Sequence, residues 1–313
     1  MAEAAGSAVS IVIPCYNEAK VFPHLREALA SLMESLESDW DLEIVLVDDG
    51  SHDDTWEHIC SYAADDDRIR GIALSRNFSH QNALSCGYQF ATGDAIVCMD
   101  ADLQDPPEVI TEMLGKWREG ADVVYAVRES REGESVFKRW TAAAFYRIAR
   151  ALGAEHLKAD SGDFRLMSRR ALDALLSMPE YHRFIRGMVG WIGFKTSTVR
   201  YRRKPRKAGE TKYTLRKMLR FASDAIVSFS ILPLRLAYLA AVGSCLFVLA
   251  YLVYVVAMHW AFGASLVPGW TSLLLVVTVF GGMNLLCVGI MGEYLGRTYE
   301  QTKGRPLYFV RDN

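Results

Sequence analysis

Asp100, Asp102 and Gln104 close a short apolar run, Ala95 to Met99, within the stretch GDAIVCMDADLQDPP from Gly93 to Pro107. Alternate positions of an extended chain project to one side, so this spacing predicts three oxygen ligands converging on one hard cation. Mg²⁺ or Mn²⁺ held by so few protein oxygens keeps open positions for the phosphates of a substrate. The same acids before Pro106 also suit a plain acidic turn capping the helix that starts there. The surrounding elements decide between the two.

Val9 to Ile13 is a β-branched run that stops at Pro14 and is followed by Tyr16, Asn17 and Glu18. An amphipathic helix is expected from Val21 to Glu37, with Leu25, Leu29, Leu32, Met33 and Leu36 on one face. A strand from Leu42 to Val47 ends in Asp48, Asp49 and Gly50, and a helix follows over Asp53 to Ala64. Ile69 to Leu74 reads as a third strand leading to Arg76, after which a helix runs to Ala91. Asp122 to Ala126 is a further strand, with Arg128 in the turn after it. Strands alternating with helices predict an α/β domain with a mostly parallel sheet, whose ligands bind at the carboxyl ends of the strands. There is no GxGxxG after the first strand and no GxxxxGK[ST], which disfavours a dinucleotide-binding dehydrogenase and a P-loop NTPase. A nucleotide-sugar, its phosphates gripped by a cation and arginines, fits what remains.

The net charge of −2 hides an uneven distribution. Leu236 to Met258 and Thr271 to Gly292 contain no Asp, Glu, Lys or Arg, and each is long enough to cross a hydrocarbon layer. Basic residues crowd the approach to the first run, from Arg200 to Arg220, and Arg297, Lys303 and Arg305 follow the second, whereas His259 to Trp270 has no Lys or Arg. This predicts a two-helix hairpin in the cell membrane with both termini cytoplasmic. Beside a span, the basic stretch is expected to meet lipid headgroups rather than nucleic acid. Phe137 to Leu152 and Tyr213 to Ser230 have the mixed aromatic and basic character of interfacial helices. Gly243, Ser244, Gly281, Gly282 and Gly289 leave room for close helix contact and so for a homo-oligomer. The N-terminus lacks the basic start and apolar core of a signal peptide, so the main domain is expected to stay where it is made. The six cysteines show no CxxC spacing and read as small apolar residues in a reducing compartment.

In order along the chain, SIVIPCYNEA, VLVDDGS, ATGDAIVCMDADLQDP, Gly162 to Arg169 and Met291 to Thr298 resemble a family 2 glycosyltransferase, more narrowly the polyprenyl-phosphate group with the bactoprenol glucosyltransferases and dolichol-phosphate mannosyltransferases. The resemblance spans nearly the whole chain. It implies a GT-A-type domain over residues 1–212, a juxtamembrane amphipathic segment over 213–232, two transmembrane helices within 233–292 and a cytoplasmic tail over 293–313. The implied reaction is inverting transfer of a sugar, glucose from UDP-glucose being the leading choice, to a polyprenyl (undecaprenyl) phosphate. GDP-mannose or a UDP-amino-sugar is the alternative donor, and a catalytically inactive nucleotide-sugar-binding membrane adaptor is an alternative of another class.

By the same resemblance Pro14, Tyr16, Glu18, Val47 and Asp49 line the nucleotide pocket; Arg76 and Ala101, beyond the ends of their strands, are expected to bind substrate beside them. Asp100, Asp102 and Gln104 hold Mg²⁺ or Mn²⁺, and Arg128 meets phosphate. Arg206, Gly209, Thr211 and Lys212 match a closing loop written RxxGxSK, with Thr in place of the commoner Ser. Asp163 is assigned to the acceptor site, as base or positioning group. An internal ion pair with Arg165 or Arg169 is the competing role for that carboxylate.

Overall fold

A computed structural model describes residues 7–129, 161–202, 231–262 and 269–312. Four parallel strands form the centre of the sheet: β1 (Ala8–Cys15), β2 (Asp41–Asp48), β3 (Ile69–Leu74) and β4 (Ala95–Cys98). Their residues are buried on both faces, so the strands read as nearly continuous apolar runs. In β1, Val9, Ile11 and Ile13 belong to the layer under α1 (Phe22–Leu36), α2 (Thr55–Asp65) and α4 (Val109–Arg118), while Val12 faces the opposite layer. That second layer is built by α3 (His80–Phe90), α5 (Arg169–Leu176) and α6 (Ile185–Ile192). Each fully buried aliphatic side chain contributes about 1.5–3 kcal/mol, so the two layers clamp the sheet from both sides.

Three strands extend the sheet beyond β4. In the order β7-β5-β6-β4-β1-β2-β3, with β8 (Val310–Asp312) at the edge beyond β3, β6 (Ser161–Ser168) lies between β4 and β5 (Val123–Arg128) and runs antiparallel to both, while β7 (Thr196–Tyr201) pairs parallel with β5. The sheet is therefore mixed but mostly parallel, as the alternation of elements predicts. Arg128 is the last residue of β5 rather than part of a turn after it, because its pairing with Tyr201 carries the strand further than Ala126.

Two long helices, α7 (Leu232–Phe262) and α8 (Trp270–Thr302), follow. Their side chains are largely uncovered, with Leu246 61% and Leu285 75% exposed, so beyond the contact of the two helices with each other little of their apolar surface is buried. They are candidate membrane spans by length and composition. The sequence places the end of the second apolar run at Gly292, yet α8 continues to Thr302, the charged last turns being held by pairs such as Arg297 Nε to Glu293 Oε1 at 2.9 Å. The chain then returns to the sheet. β8 (Val310–Asp312) pairs antiparallel with the edge strand β3, so the end of the predicted tail is part of the sheet domain. The proposed interfacial helices Phe137–Leu152 and Tyr213–Ser230 lie outside the described residues.

Candidate active site

The carboxyl ends of β1, β2 and β4 open into one cleft of about 590 Å³, closed on its far side by the start of α3 and by β6 and α6. Pro14, Tyr16 and Glu18 arrive from β1, Asp49 from β2, and Asp100, Ala101 and Asp102 from β4. Hydrogen bonds between loops fix this rim. The Asn17 N–H donates to Ser51 Oγ at 2.9 Å, the His52 N–H to Asn17 Oδ1 at 2.8 Å, and the Glu18 N–H to Thr55 Oγ1 at 2.9 Å. Gly50 is required here: its φ is +67°, and a Cβ would sit 2.3 Å from the backbone carbonyl carbon of Arg76.

The acidic turn is not extended. β4 ends at Cys98, Leu103 has φ +54°, and the Gln104 N–H donates to Asp102 Oδ1 at 3.1 Å. Alternation therefore fails beyond the strand, and Gln104 falls outside the cleft lining while Asp100 and Asp102 remain in it. Asp100 Oδ1 is buried without a hydrogen-bond partner. Burial pushes the Asp100 carboxyl up to about 6, and Asp163, Asp105 and Asp102 push the same way against the opposing effect of His80. Among the described residues no group of three or more His, Cys, Asp or Glu side chains is arranged to hold a metal ion. A catalytic divalent cation completed by substrate phosphates needs only one or two carboxylates, and an orphaned buried carboxylate oxygen beside a second acid fits that donor set.

Asp163 is the most heavily partnered acid of the cleft. It is 3% exposed; Arg165 Nη2 donates to its Oδ1 at 2.8 Å, and Arg186 donates from Nε to Oδ1 at 3.0 Å and from Nη2 to Oδ2 at 2.7 Å. His80 Nε2 lies 3.3 Å from Asp163 Oδ2 and 3.7 Å from Asp100 Oδ1. Burial raises the Asp163 carboxyl, but the bond to His80 and the charge of Arg186 and Arg165 outweigh it and hold the group well below the usual carboxylate range. The internal pairing with Arg165 is thus real and coexists with a place in the cleft. Arg169 goes elsewhere, donating to the Gly93 and Ala91 carbonyls.

Other predicted residues sit away from the cleft. The Val47 side chain is fully buried and faces α3 at Gly87. Arg76 is exposed, its guanidinium 4.1 Å from the centre of the Phe78 ring. Arg128 donates from Nε to Tyr201 Oη at 3.3 Å and lies 4.0 Å from Asp105, next to Gly162. Arg206, Thr211 and Lys212 lie outside the described residues. The structure adds Asn77, Ser79, His80 and Arg186 to the site. His80 follows Ser79, which is held at φ +84°, and so opens α3 with its ring turned into the acids. A histidine at the first turn after a polar strand-end loop is the only signal the sequence offers for it.

The mostly parallel α/β sheet, its acidic strand ends gathered into one cleft, has the GT-A-type architecture that the sequence resemblance implies. The sheet domain shares its fold with mannosyl-3-phosphoglycerate synthase from Rubrobacter xylanophilus, with TM-score 0.50 and 18% identity over 70% of this chain and 72% of that one. Residues 10–176 match the model of glycosyl transferase family 2, and the chain belongs to that family. It is 44% identical over 302 residues to an uncharacterized glycosyltransferase of Bacillus subtilis (strain 168), covering 96% of this chain and 93% of the relative. It is 38% identical over 305 residues to a prophage bactoprenol glucosyl transferase homolog of Escherichia coli (strain K12), covering 97% and 98%. With a bactoprenol glucosyl transferase of Shigella phage SfX the identity is 36% over 305 residues, again covering 97% and 98%.

Proposed function

We propose that this protein transfers glucose from UDP-glucose, with inversion, to a polyprenyl phosphate at the cytoplasmic face of a membrane. The observation that carries this reading is the likeness over 97% of the chain, both apolar helices included, to proteins named bactoprenol glucosyl transferase. The lack of Lys and Arg between His259 and Trp270 supports cytoplasmic termini.

In the cleft, the exposed ring of Tyr16 offers a stacking face for the base, and Asp49, buried with Oδ1 accepting from the Phe78 N–H at 2.7 Å, lines the same cleft as an acceptor for donor hydroxyls. Asp100 and Asp102 would hold Mg²⁺ or Mn²⁺. When bound, such a cation neutralises the charge growing on the departing nucleoside diphosphate. Arg128 stands behind the same turn, and Arg206 and Lys212 supply further positive charge by sequence. A lipid monophosphate, with a second pKa near ~6, is mostly dianionic at neutral pH and needs no strong base. That agrees with Asp163, whose depressed pKa makes it a poor proton acceptor. Asp163 instead positions Arg186 and His80 toward the reacting phosphates. Incubating the purified protein with undecaprenyl phosphate, Mn²⁺ or Mg²⁺, and UDP-glucose, GDP-mannose or a UDP-amino-sugar in turn, followed by mass spectrometry of the lipid, tests the reading. A hexosyl lipid formed from UDP-glucose alone is expected; product from another donor, or none, overturns it.

A further inference from the structure

Asp105, the last acid of the turn that carries Asp100 and Asp102, stands outside the cleft lining and is 1% exposed. Its Oδ1 accepts the hydroxyl of Tyr201, the last residue of β7, and Arg128 Nη2 lies 4.0 Å from the same oxygen. Arg128 closes the triangle by donating from Nε to the Tyr201 hydroxyl oxygen at 3.3 Å. Burial raises the Tyr201 phenol and the charge of Asp105 raises it further, so the hydroxyl keeps its proton at neutral pH. One buried hydroxyl thus receives from a cation and gives to an anion, an arrangement in which each bond polarises the next.

Tyr201 touches three parts of the site at once. Its ring meets Phe164 edge-on, the centroids 5.7 Å apart, and Phe164 follows Asp163 in β6. Its main-chain carbonyl accepts from the Glu129 N–H at 2.9 Å, which fixes the end of β5 beside it. Its hydroxyl reaches the acidic turn. That turn needs support from outside, because Leu103 is held at φ +54°, a conformation that strains a bulky side chain and persists only where its surroundings enforce it. The bond from the Gln104 N–H to Asp102 Oδ1 stays within the turn, whereas the bond at Asp105 ties it to another strand. Without the hydroxyl, a buried carboxylate would lose a donor and the turn one of its anchors.

We propose that Tyr201 and Asp105 are positioning residues for the cation site: the hydroxyl bond between them braces the acidic turn in the shape that keeps Asp100 and Asp102 in the cleft, and it sets Arg128 against the same turn. The inference rests on the reading of Asp100 and Asp102 as ligands of a divalent cation and adds the residues that stand behind them. Their effect runs through metal affinity and the order of the turn, not through the binding of UDP by itself.

Tyr201→Phe keeps the ring against Phe164 and removes the hydroxyl alone. In the full chain in lipid nanodiscs it is expected to weaken Mn²⁺ binding, measured calorimetrically in the presence of UDP, and to lower kcat, each by about tenfold to a hundredfold, the scale for losing a residue behind a metal ligand. The Kd for UDP without metal should stay within about twofold, and amides 101–105 should exchange faster in the metal-free variant. Asp105→Leu should reproduce these losses, Asp105→Asn, which keeps an oxygen to accept the hydroxyl, should lose clearly less, and Tyr201→Phe with Asp105→Leu should lose no more than either alone. A lower melting temperature with unchanged Mn²⁺ affinity in Tyr201→Phe would make the bond a plain fold contact and overturn the proposal. If these variants do not fold, 3-fluorotyrosine at position 201, which keeps the hydroxyl, decides: its ¹⁹F resonance should move when Mg²⁺ joins UDP, and an unmoved signal overturns the brace. Faster exchange over 101–105 in Tyr201→Phe, in a chain that binds no Mn²⁺ even unaltered, upholds the brace and overturns the cation reading. Mn²⁺ binding that Tyr201→Phe leaves untouched overturns the brace alone.

Discussion

Arg186 grips Asp163 through both oxygens, Nε to Oδ1 at 3.0 Å and Nη2 to Oδ2 at 2.7 Å, and this fork joins the first turn of α6 to the central strand β6. A lysine cannot reproduce two parallel donors. Arg186→Lys is therefore expected to lower kcat about tenfold to a hundredfold through misplacement of the fork, with the Kd for UDP nearly unchanged. Asp163→Asn should fall in the same range. Because the two act as one unit, the double variant should lose much less than the product of the single losses, which a double-mutant cycle on kcat/KM measures. Independent, multiplicative losses would show that the pair is not a working unit.

Asp100 carries an orphaned buried oxygen and Asp102 shares its cleft, so removing either carboxylate should act through the cation. Asp100→Asn and Asp102→Ala are each expected to lower kcat by about 10²–10³, the scale of one lost stabilising contact to developing charge. Chelation should abolish turnover, and added Mn²⁺ or Mg²⁺ should restore it. Calorimetric titration of UDP with and without the metal supplies the second readout, since the affinity of the unaltered chain should depend on the metal and that of Asp102→Ala should not. Full activity in excess chelator would remove the cation from the mechanism.

Burial pushes the Asp49 carboxyl up to about 6, despite the opposing bond from the Phe78 N–H. A group whose pKa is higher folded than unfolded binds more protons in the folded state between the two values. Its contribution is fully present below about 4 and is lost as pH rises through about 6. Asp49→Asn abolishes that slope. The melting temperature of the unaltered chain, taken relative to Asp49→Asn, should therefore fall from pH 4 to pH 7, by an equivalent of no more than about 3 kcal/mol. A constant difference across that window would mean the carboxyl keeps its ordinary pKa.

The parts legible in the sequence are those where one local rule suffices. β1 to β4 are buried on both faces, so their apolar runs stand out, and the loops after β1, β2 and β4 carry Tyr16, Glu18, Asp49, Asp100 and Asp102 into the cleft. β6 obeys a rule that the sequence hides. Asp163 reads as an acceptor-site carboxylate or as the partner of Arg165, but nothing local shows that both lie in a strand paired on both sides, where the two meet in an ion pair. The acidic turn deceives differently: the reading of Asp100, Asp102 and Gln104 assumes an extended chain, and the positive φ of Leu103 breaks it one residue before Gln104. His80 and Arg186 join the site only because α3 and α6 converge on β6, a tertiary relationship with no local signature.

The return of the chain end to the sheet ties the two long apolar helices to the rim of the cleft. β8 covers the free edge of β3, the Ser75 N–H donates to the Phe309 carbonyl at 2.9 Å, and the Phe309 and Phe78 rings lie 6.2 Å apart. Ser75 to Ser79 is the segment that presents Asn77 and Ser79 to the cleft and whose Phe78 N–H holds Asp49. Cutting the chain after Arg305 removes that support and uncovers a strand edge. The truncated protein should bind UDP about tenfold more weakly and melt several degrees lower, while Phe309→Ala, which keeps the backbone pairing, should lose only the ring contact, about 0.5–1.5 kcal/mol. Hydrogen exchange over residues 75–80 reads the effect directly, since those amides should exchange faster in the truncated chain. Unchanged protection with intact UDP affinity would show that the loop holds its shape without β8.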